Sequence, residues 1–475
     1  MFTYPRMPVS ARSSLTLAVV VAALAAASAA SAQTGAPVVP AVPEGLADTT
    51  DRVPGPTKDG EVAPVRPLQV IVEFARDAGE EGRLAAAAAV DGELLRVSGP
   101  HTRLVGLPPG ASGEEALRTL REREDVVSAV PNHVGRAARY VPDDPGEGAG
   151  WQAVQWNFLA AHGVNAPDAW TNLRRAGRAG GRGVVVAVVD SGVAYRDDGR
   201  YELSPDFARS QFVRGYDFLG DSPYPIDTSG HGTHIAGTIA ERTDNGFGVT
   251  GLAYGSRIMP LRVLDREGFG DSDDMARAIR FAAREGADVI NLSIEFDDEI
   301  EARDIPNLLE AIEYARNKGV NVVAASGNSA ADRVPYPGRA PGVIAVGATT
   351  ESGCLAEYSN AGRMVDLVAP GGGRDANVPD DPRCSLDNDG RDIVQMTFDR
   401  DDVNDFLLAK DYEGTSMATP HVAGTIALVL ASGVLGDDPN PKEVEYHLEE
   451  TARDLGSRRL YGHGLVDAAA ATKPR

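Results

Sequence analysis

Short apolar runs, bounded by turn formers, recur along this chain at intervals that few architectures accommodate. Val184-Val185-Val186-Ala187-Val188-Val189 is continuous and β-branched, the texture of a strand covered on both faces. Similar runs follow at residues 257–264, 287–292, 320–325 and 343–346. Between them lie stretches with helical spacing, notably 273–285 and 307–318. Alternation of strand and helix predicts an α/β fold: a three-layer sandwich on a mostly parallel central sheet, joined by right-handed crossovers. This pattern occupies residues 151–475, interrupted by an acidic, Pro- and Gly-containing insertion at 371–411.

The preceding third is organised differently. Arg6 and Arg12 precede an almost uncharged run at 14–30, and Ala30-Ser31-Ala32 offers a small-residue cleavage site. Residues 1–32 therefore read as a secretory signal peptide rather than a membrane anchor, because the run is short and Ala-rich. Export predicts a secreted protein, extracellular or periplasmic, with no later membrane segment. Residues 33–66, rich in Pro, Ala, Val and Thr, read as a linker. Residues 67–139 predict a small α+β domain, with strands near 68–74 and 125–130 and an amphipathic helix over 113–123 carrying Leu117 and Leu120. Residues 140–150 are again irregular.

At 475 residues the chain can bury a large core, and 43% hydrophobic with 24% charged residues is a globular balance. A net charge of −23 argues against nucleic-acid binding. In an exported protein the two cysteines, Cys354 and Cys384, can pair, and a bridge is favoured over free thiols.

Gly414 to Gly424 reads GTSMATPHVAG. Ser416 stands there among small residues at a predicted helix start, with Thr415 and Ser416 as candidate caps and Pro420 in the first turns. A lone serine in such a context is more often a feature of an Ala-rich core helix than a nucleophile. Three partners change that balance. Asp190 ends the first apolar run, where open α/β sheets gather their chemistry. His231 opens a Gly-flanked helix start in TSGHGTHIAG, with His234 as a packed or supporting histidine. Asn328, ending AASGN, offers a neutral N–H donor to a developing oxyanion.

The VVDSGV, HGTHIAG, ASGN and GTSMATPHVAG segments, in that order, resemble the subtilase family of serine proteases, and the resemblance runs from about Trp151 to Ala471. It implies a Ser416 nucleophile, a His231 base, an orienting Asp190 and an oxyanion hole from Asn328 and the Ser416 N–H. The order Asp, His, Ser is the order found in subtilisin. The resemblance also implies that a substrate peptide lies as an added strand along Gly268 and Gly270 on one side and Ser293, Ile294 and Glu295 on the other, with Ala325 and Gly327 beside it. Glu295 stands where relatives carry glycine. Turned inward it would favour basic or polar substrate residues; turned outward it would do nothing. Pro335 is expected to narrow the pocket floor.

Two further expectations follow from the resemblance. Residues 67–139 resemble an inhibitor-type propeptide, serving as template and temporary intramolecular inhibitor until self-cleavage between Gly135 and Trp151. The DNGFGV loop at 244–249 resembles a structural calcium loop, with Asn245, Asp206 and Gln155 as ligands; Asp387-Asn388-Asp389-Gly390 reads instead as a solvated turn. The function implied is that of a secreted, monomeric endopeptidase acting on proteins or peptides. A catalytically silent peptide-binding module is the alternative, and a lipase of the α/β-hydrolase type is disfavoured by the order of the catalytic residues.

Overall fold

The computed structural model describes residues 53–56, 62–133 and 140–474, so the predicted signal peptide, most of the linker after it and Gly135 lie outside the described residues. The chain divides into two compact units, residues 1–136 and 137–475, each described by itself.

The first unit contains β1 (Val53–Pro56), β2 (Val62–Phe74), α1 (Glu80–Ala88), β3 (Glu93–Val97), β4 (Thr102–Gly106), α2 (Gly113–Arg121) and β5 (Val126–His133). Its sheet is antiparallel, in the order β1-β2-β4-β3, with β5 also paired to β2. Val70, Val72 and Phe74 alternate along β2 and bury one face against Ala86, Leu117 and Leu120 of the two helices. Ser112 caps α2 by accepting the Glu115 N–H at 3.3 Å. One expectation is corrected. Val53–Pro56 and the start of β2 pair as strands inside the segment read as linker, because backbone pairing needs no apolar periodicity.

The second unit contains α3 (Ala166–Arg175), β6 (Val185–Asp190), β7 (Tyr216–Asp217), α4 (His231–Ala240), β8 (Arg257–Arg262), α5 (Ser272–Arg284) and β9 (Val289–Leu292). It continues through α6 (Pro306–Asn317), β10 (Asn321–Ala325), β11 (Ile344–Thr349), β12 (Leu367–Pro370), β13 (Gln395–Asp399) and β14 (Asp402–Ala409). The last elements are α7 (Thr415–Ser432), α8 (Pro441–Thr451), α9 (Arg458–Tyr461) and α10 (Ala468–Ala471).

Seven strands form the central sheet in the order β12-β11-β10-β9-β6-β8-β7, every neighbouring pair parallel. Val186 and Val188 face a core with Ile235 of α4 and Val422 of α7, while Val185, Ala187 and Val189 face Ile279 of α5 and Ile312 of α6. Two covered faces explain why the run is continuously apolar rather than alternating. The result is the expected three-layer α/β sandwich.

Two segments depart from expectation. Residues 140–150 are not a free linker but are woven into this unit: Asp144 is buried, the Trp151 indole donates to the Pro142 carbonyl at 3.0 Å, and Tyr140 packs edge-on to Trp170. The 371–411 insertion is not wholly irregular. β13 and β14 pair as an antiparallel hairpin, with Gln395, Met396, Thr397 and Phe398 buried, while Cys354 and Cys384 are bridged at a Cα–Cα distance of 5.0 Å.

Candidate active site

The carboxyl ends of four adjacent strands, β10, β9, β6 and β8, open on the same edge of the sheet. Asp190 is the last residue of β6 and is fully buried. Its Oδ1 accepts the Ser191 N–H at 2.7 Å and lies 2.7 Å from His231 Nδ1. That contact fixes Nδ1 as the protonated nitrogen and leaves Nε2 free. Gly232 makes the approach possible: a Cβ there would meet the Gly192 carbonyl at 2.1 Å, so only glycine lets α4 start this close to β6. Burial by itself lowers the His231 pKa, but the Asp190 charge and hydrogen bond, with Asp227 behind them, outweigh it and the net shift is upward.

Asp227 was not singled out from sequence, although its place just ahead of a helix start is a recognisable capping signal. Its buried carboxylate accepts Ser229 N at 2.8 Å, Thr233 N at 2.9 Å and the hydroxyls of Ser191 at 2.8 Å and Thr233 at 2.7 Å. It builds the turn that presents His231.

Ser416 lies in the first turn of α7, after Gly414. Neither Thr415 nor Ser416 caps the helix, which corrects the expectation. Both are inside it, and their side chains are used elsewhere. Thr415 donates from its N–H at 2.8 Å and its hydroxyl at 2.9 Å to Asn328 Oδ1, which leaves the Asn328 amide nitrogen as the free end. Pro420, lacking an N–H, frees the carbonyl four residues earlier, that of Ser416, and the Ser293 hydroxyl fills the vacancy at 2.8 Å. Ser416 Oγ itself donates to the Ser293 carbonyl at 3.3 Å, a long bond. Ser416, His231 and Asn328 line one cleft.

The profile of the Subtilase family (peptidase S8) matches residues 181–464 of this chain. This chain belongs to the subtilase family. A thermophilic serine proteinase of Bacillus sp. (strain AK1) is 30% identical over 404 residues, covering 84% of this chain and 86% of the relative. Subtilisin Savinase of Lederbergia lenta is 36% identical over 297 residues, covering 62% and 92%. Among solved structures, a protease of Pseudoalteromonas arctica PAMC 21717 superposes with a TM-score of 0.55 at 30% identity, covering 70% of this chain and 99% of that one. Membership makes this chain a serine protease, and its substrates proteins.

In this subtilase the cleft beside Ser416 is lined by Gly268, Ser293, Ile294, Glu295 and Ala325; Gly270 and Gly327 are not part of that lining. Gly327 instead serves the loop that carries Asn328. It adopts φ +102°, and a Cβ there would press on the Asn360 amide at 2.2 Å and the Glu295 carboxylate at 2.6 Å. Pro335 is buried, and its segment packs against the end of β10, where a Cβ on Gly338 would meet the Ala325 carbonyl at 2.7 Å. Residues 265–269 form a tight turn rather than a strand, closed by Asp265 accepting the Glu267 and Phe269 N–H groups at 3.0 and 2.9 Å. Glu295 is exposed at the rim, yet it is turned along it: Oε2 accepts the Asn328 N–H at 3.1 Å. Partial desolvation, with Asp298 and Asp297 nearby, raises its pKa. Leu264 and Glu267, in the segment around Gly268, also line the cleft, as do Ser191, Ser229 and Arg400, which were not singled out; Arg400 arrives on the β13–β14 hairpin, a long-range contact with no local signal.

His234 is fully buried, stacked 4.2 Å from Tyr412, with Nε2 on the Ile393 carbonyl at 3.0 Å. Burial drives its pKa down to about 3, so it is a neutral packing residue.

Around the 244–249 loop, Asp206 accepts Asn245 Nδ2 at 2.7 Å and Val249 N at 2.9 Å, Asn245 Oδ1 accepts Phe247 N at 2.9 Å, and Gln155 is bonded through both amide atoms to the Thr250 backbone. The oxygens are thus each turned onto an N–H donor. Asp144 adds a second buried carboxylate on the same loop, and among the described residues neither it nor Asp206 has a Lys or Arg ion pair. Burial pushes Asp206 up to about 7 and raises Asp144. Hard oxygen donors on buried carboxylate and amide side chains are a chemistry that fits calcium. The 387–390 turn is tied to protein groups instead, through Arg374–Asp389 at 2.9 Å and Asn388–Asp375 at 3.1 Å.

Proposed function

We propose that this subtilase is a secreted endopeptidase that cleaves peptide bonds through an acyl-enzyme formed on Ser416. The observation that carries the reading is the 2.7 Å contact between Asp190 Oδ1 and His231 Nδ1 at the mouth of the cleft holding Ser416 and Asn328. His231 Nε2 takes the Ser416 proton as Oγ attacks the scissile carbonyl carbon. The carbonyl oxygen becomes an oxyanion, received by the Ser416 N–H and the Asn328 amide, whose direction Thr415 sets. Collapse breaks the C–N bond, and the imidazolium returns its proton to the leaving amine. Water, deprotonated by the same imidazole, then hydrolyses the ester and restores Ser416. Asp190 holds the tautomer throughout and stabilises the imidazolium. Labelling by a serine-directed phosphonate, together with release of internal peptide fragments, tests this; retained peptidase activity in Ser416→Ala overturns it, and no turnover by the wild type supports the silent binding module.

The leading unit is proposed to act as template and intramolecular inhibitor of a precursor. Scission is assigned at or before Tyr140, because the residues after it are packed into the second unit. Calcium held by Asp206, Asn245 and Gln155 is proposed to brace the 244–249 loop and to take no part in the chemistry.

A further inference from the structure

Arg400 carries the one positive charge among the described arginine and lysine residues that line the catalytic cleft. It stands in the two-residue turn of the β13–β14 hairpin, between the paired residues Asp399 and Asp402. The backbone of that turn is fixed. Arg266, on the tight turn after β8, donates to the Arg400 carbonyl, tying the hairpin tip to the cleft rim. Asp399 holds the Asp401 N–H at 2.8 Å.

The side chain, by contrast, has no described carboxylate partner although three aspartates flank it. Asp399 is engaged by the Asp401 N–H, and Asp402 by the Asn404 N–H at 3.1 Å. The guanidinium hydrogen-bonds the Tyr412 side chain, and its charge reaches both Tyr412 and His231, opposing the upward pKa shift of each. A guanidinium with a fixed backbone, an exposed head that meets the Tyr412 hydroxyl but no described carboxylate, and a place beside the catalytic imidazole is equipped to receive a planar anion through its remaining N–H donors. Two carboxylates share the lining, Glu267 and Glu295, and Glu295 Oε2 is turned onto the Asn328 N–H.

We propose that Arg400 determines specificity: it receives a substrate carboxylate, so that an acidic side chain flanking the scissile bond is favoured over a basic one. The proposal rests on the peptidase reading above and adds to it a residue of this chain's own insertion. A charge pair in a partly solvated cleft is expected to change kcat/KM by about tenfold, mainly through KM.

Internally quenched peptides, identical except for Glu, Gln or Lys at each position flanking the cleaved bond, test it with the processed enzyme. Wild type should favour Glu over Lys by about tenfold at one of these positions, and the preference should shrink with added salt. Arg400→Glu should invert the order at that same position, and Arg400→Gln should flatten it. An identical preference in wild type and Arg400→Glu overturns the proposal, as does a wild type that cleaves the Gln peptide but treats Glu and Lys alike. A wild type that cleaves none of the peptides instead overturns the peptidase reading.

Discussion

The side chains at the cleft are held by contacts that specify both orientation and protonation, and each yields an expectation. Asp190 stabilises the charged form of His231, while the base must be neutral to act. kcat/KM should therefore rise with pH through an apparent pKa above the ordinary histidine value of 6.5. Asp190→Asn should lower the rate by roughly 10⁴ through loss of the correct tautomer, with little change in fold by circular dichroism. Asn328→Ala should cost about 10²–10³ in kcat with KM nearly unchanged, measured by steady-state kinetics. Much of this site was legible in the sequence, because Asp190, His231, Asn328 and Ser416 each stand at an element end marked by glycine or by the close of an apolar run. What was not legible are contacts between segments distant in the chain: Ser293 filling the carbonyl that Pro420 exposes, Thr415 orienting Asn328, Glu295 folding back on its neighbour. Ser293→Ala should leave that Ser416 carbonyl unsatisfied and destabilise by about 1–3 kcal/mol in denaturant unfolding.

Among the elements, the buried parallel strands were readable from composition because both faces must be apolar, whereas β12 and the hairpin were not. Leu367–Pro370 is only four residues long. β14 is exposed or half-buried along its length except at Ala409, and its Asp402 and Asp405 are exposed, so little of it reads as a buried strand. The Cys354–Cys384 bridge ties the start of the insertion to the loop after β11, closing a separation of 30 residues. Replacing both cysteines by serine should lower stability by about 3 kcal/mol, read from urea unfolding under non-reducing conditions, while the catalytic cleft, built on other elements, keeps its triad geometry.

For the whole molecule, the division into two units follows a change in texture that the sequence displayed, but the boundary was misplaced by the irregular composition of residues 140–150. Irregular sequence does not mean unpacked sequence: Asp144, Pro142 and Tyr140 are fastened by the 244–249 loop, by Trp151 and by Trp170. Sequencing the mature N-terminus should find it at or before Tyr140. Calcium saturation at about 100 times Kd would add about 2.7 kcal/mol, so EDTA should lower the melting temperature of the wild type by several degrees, and an Asn245→Ala variant should respond less. An unchanged melting curve would remove the ion from the account. The fastening of residues 140–150 has a consequence for survival. A peptidase at working concentration is surrounded by copies of itself, and a frayed chain end is the easiest segment for such a neighbour to seize. Tyr140 to Trp151 form a clasp, pinned by an indole and a buried carboxylate, and that stretch gives a neighbouring peptidase nothing loose to pull.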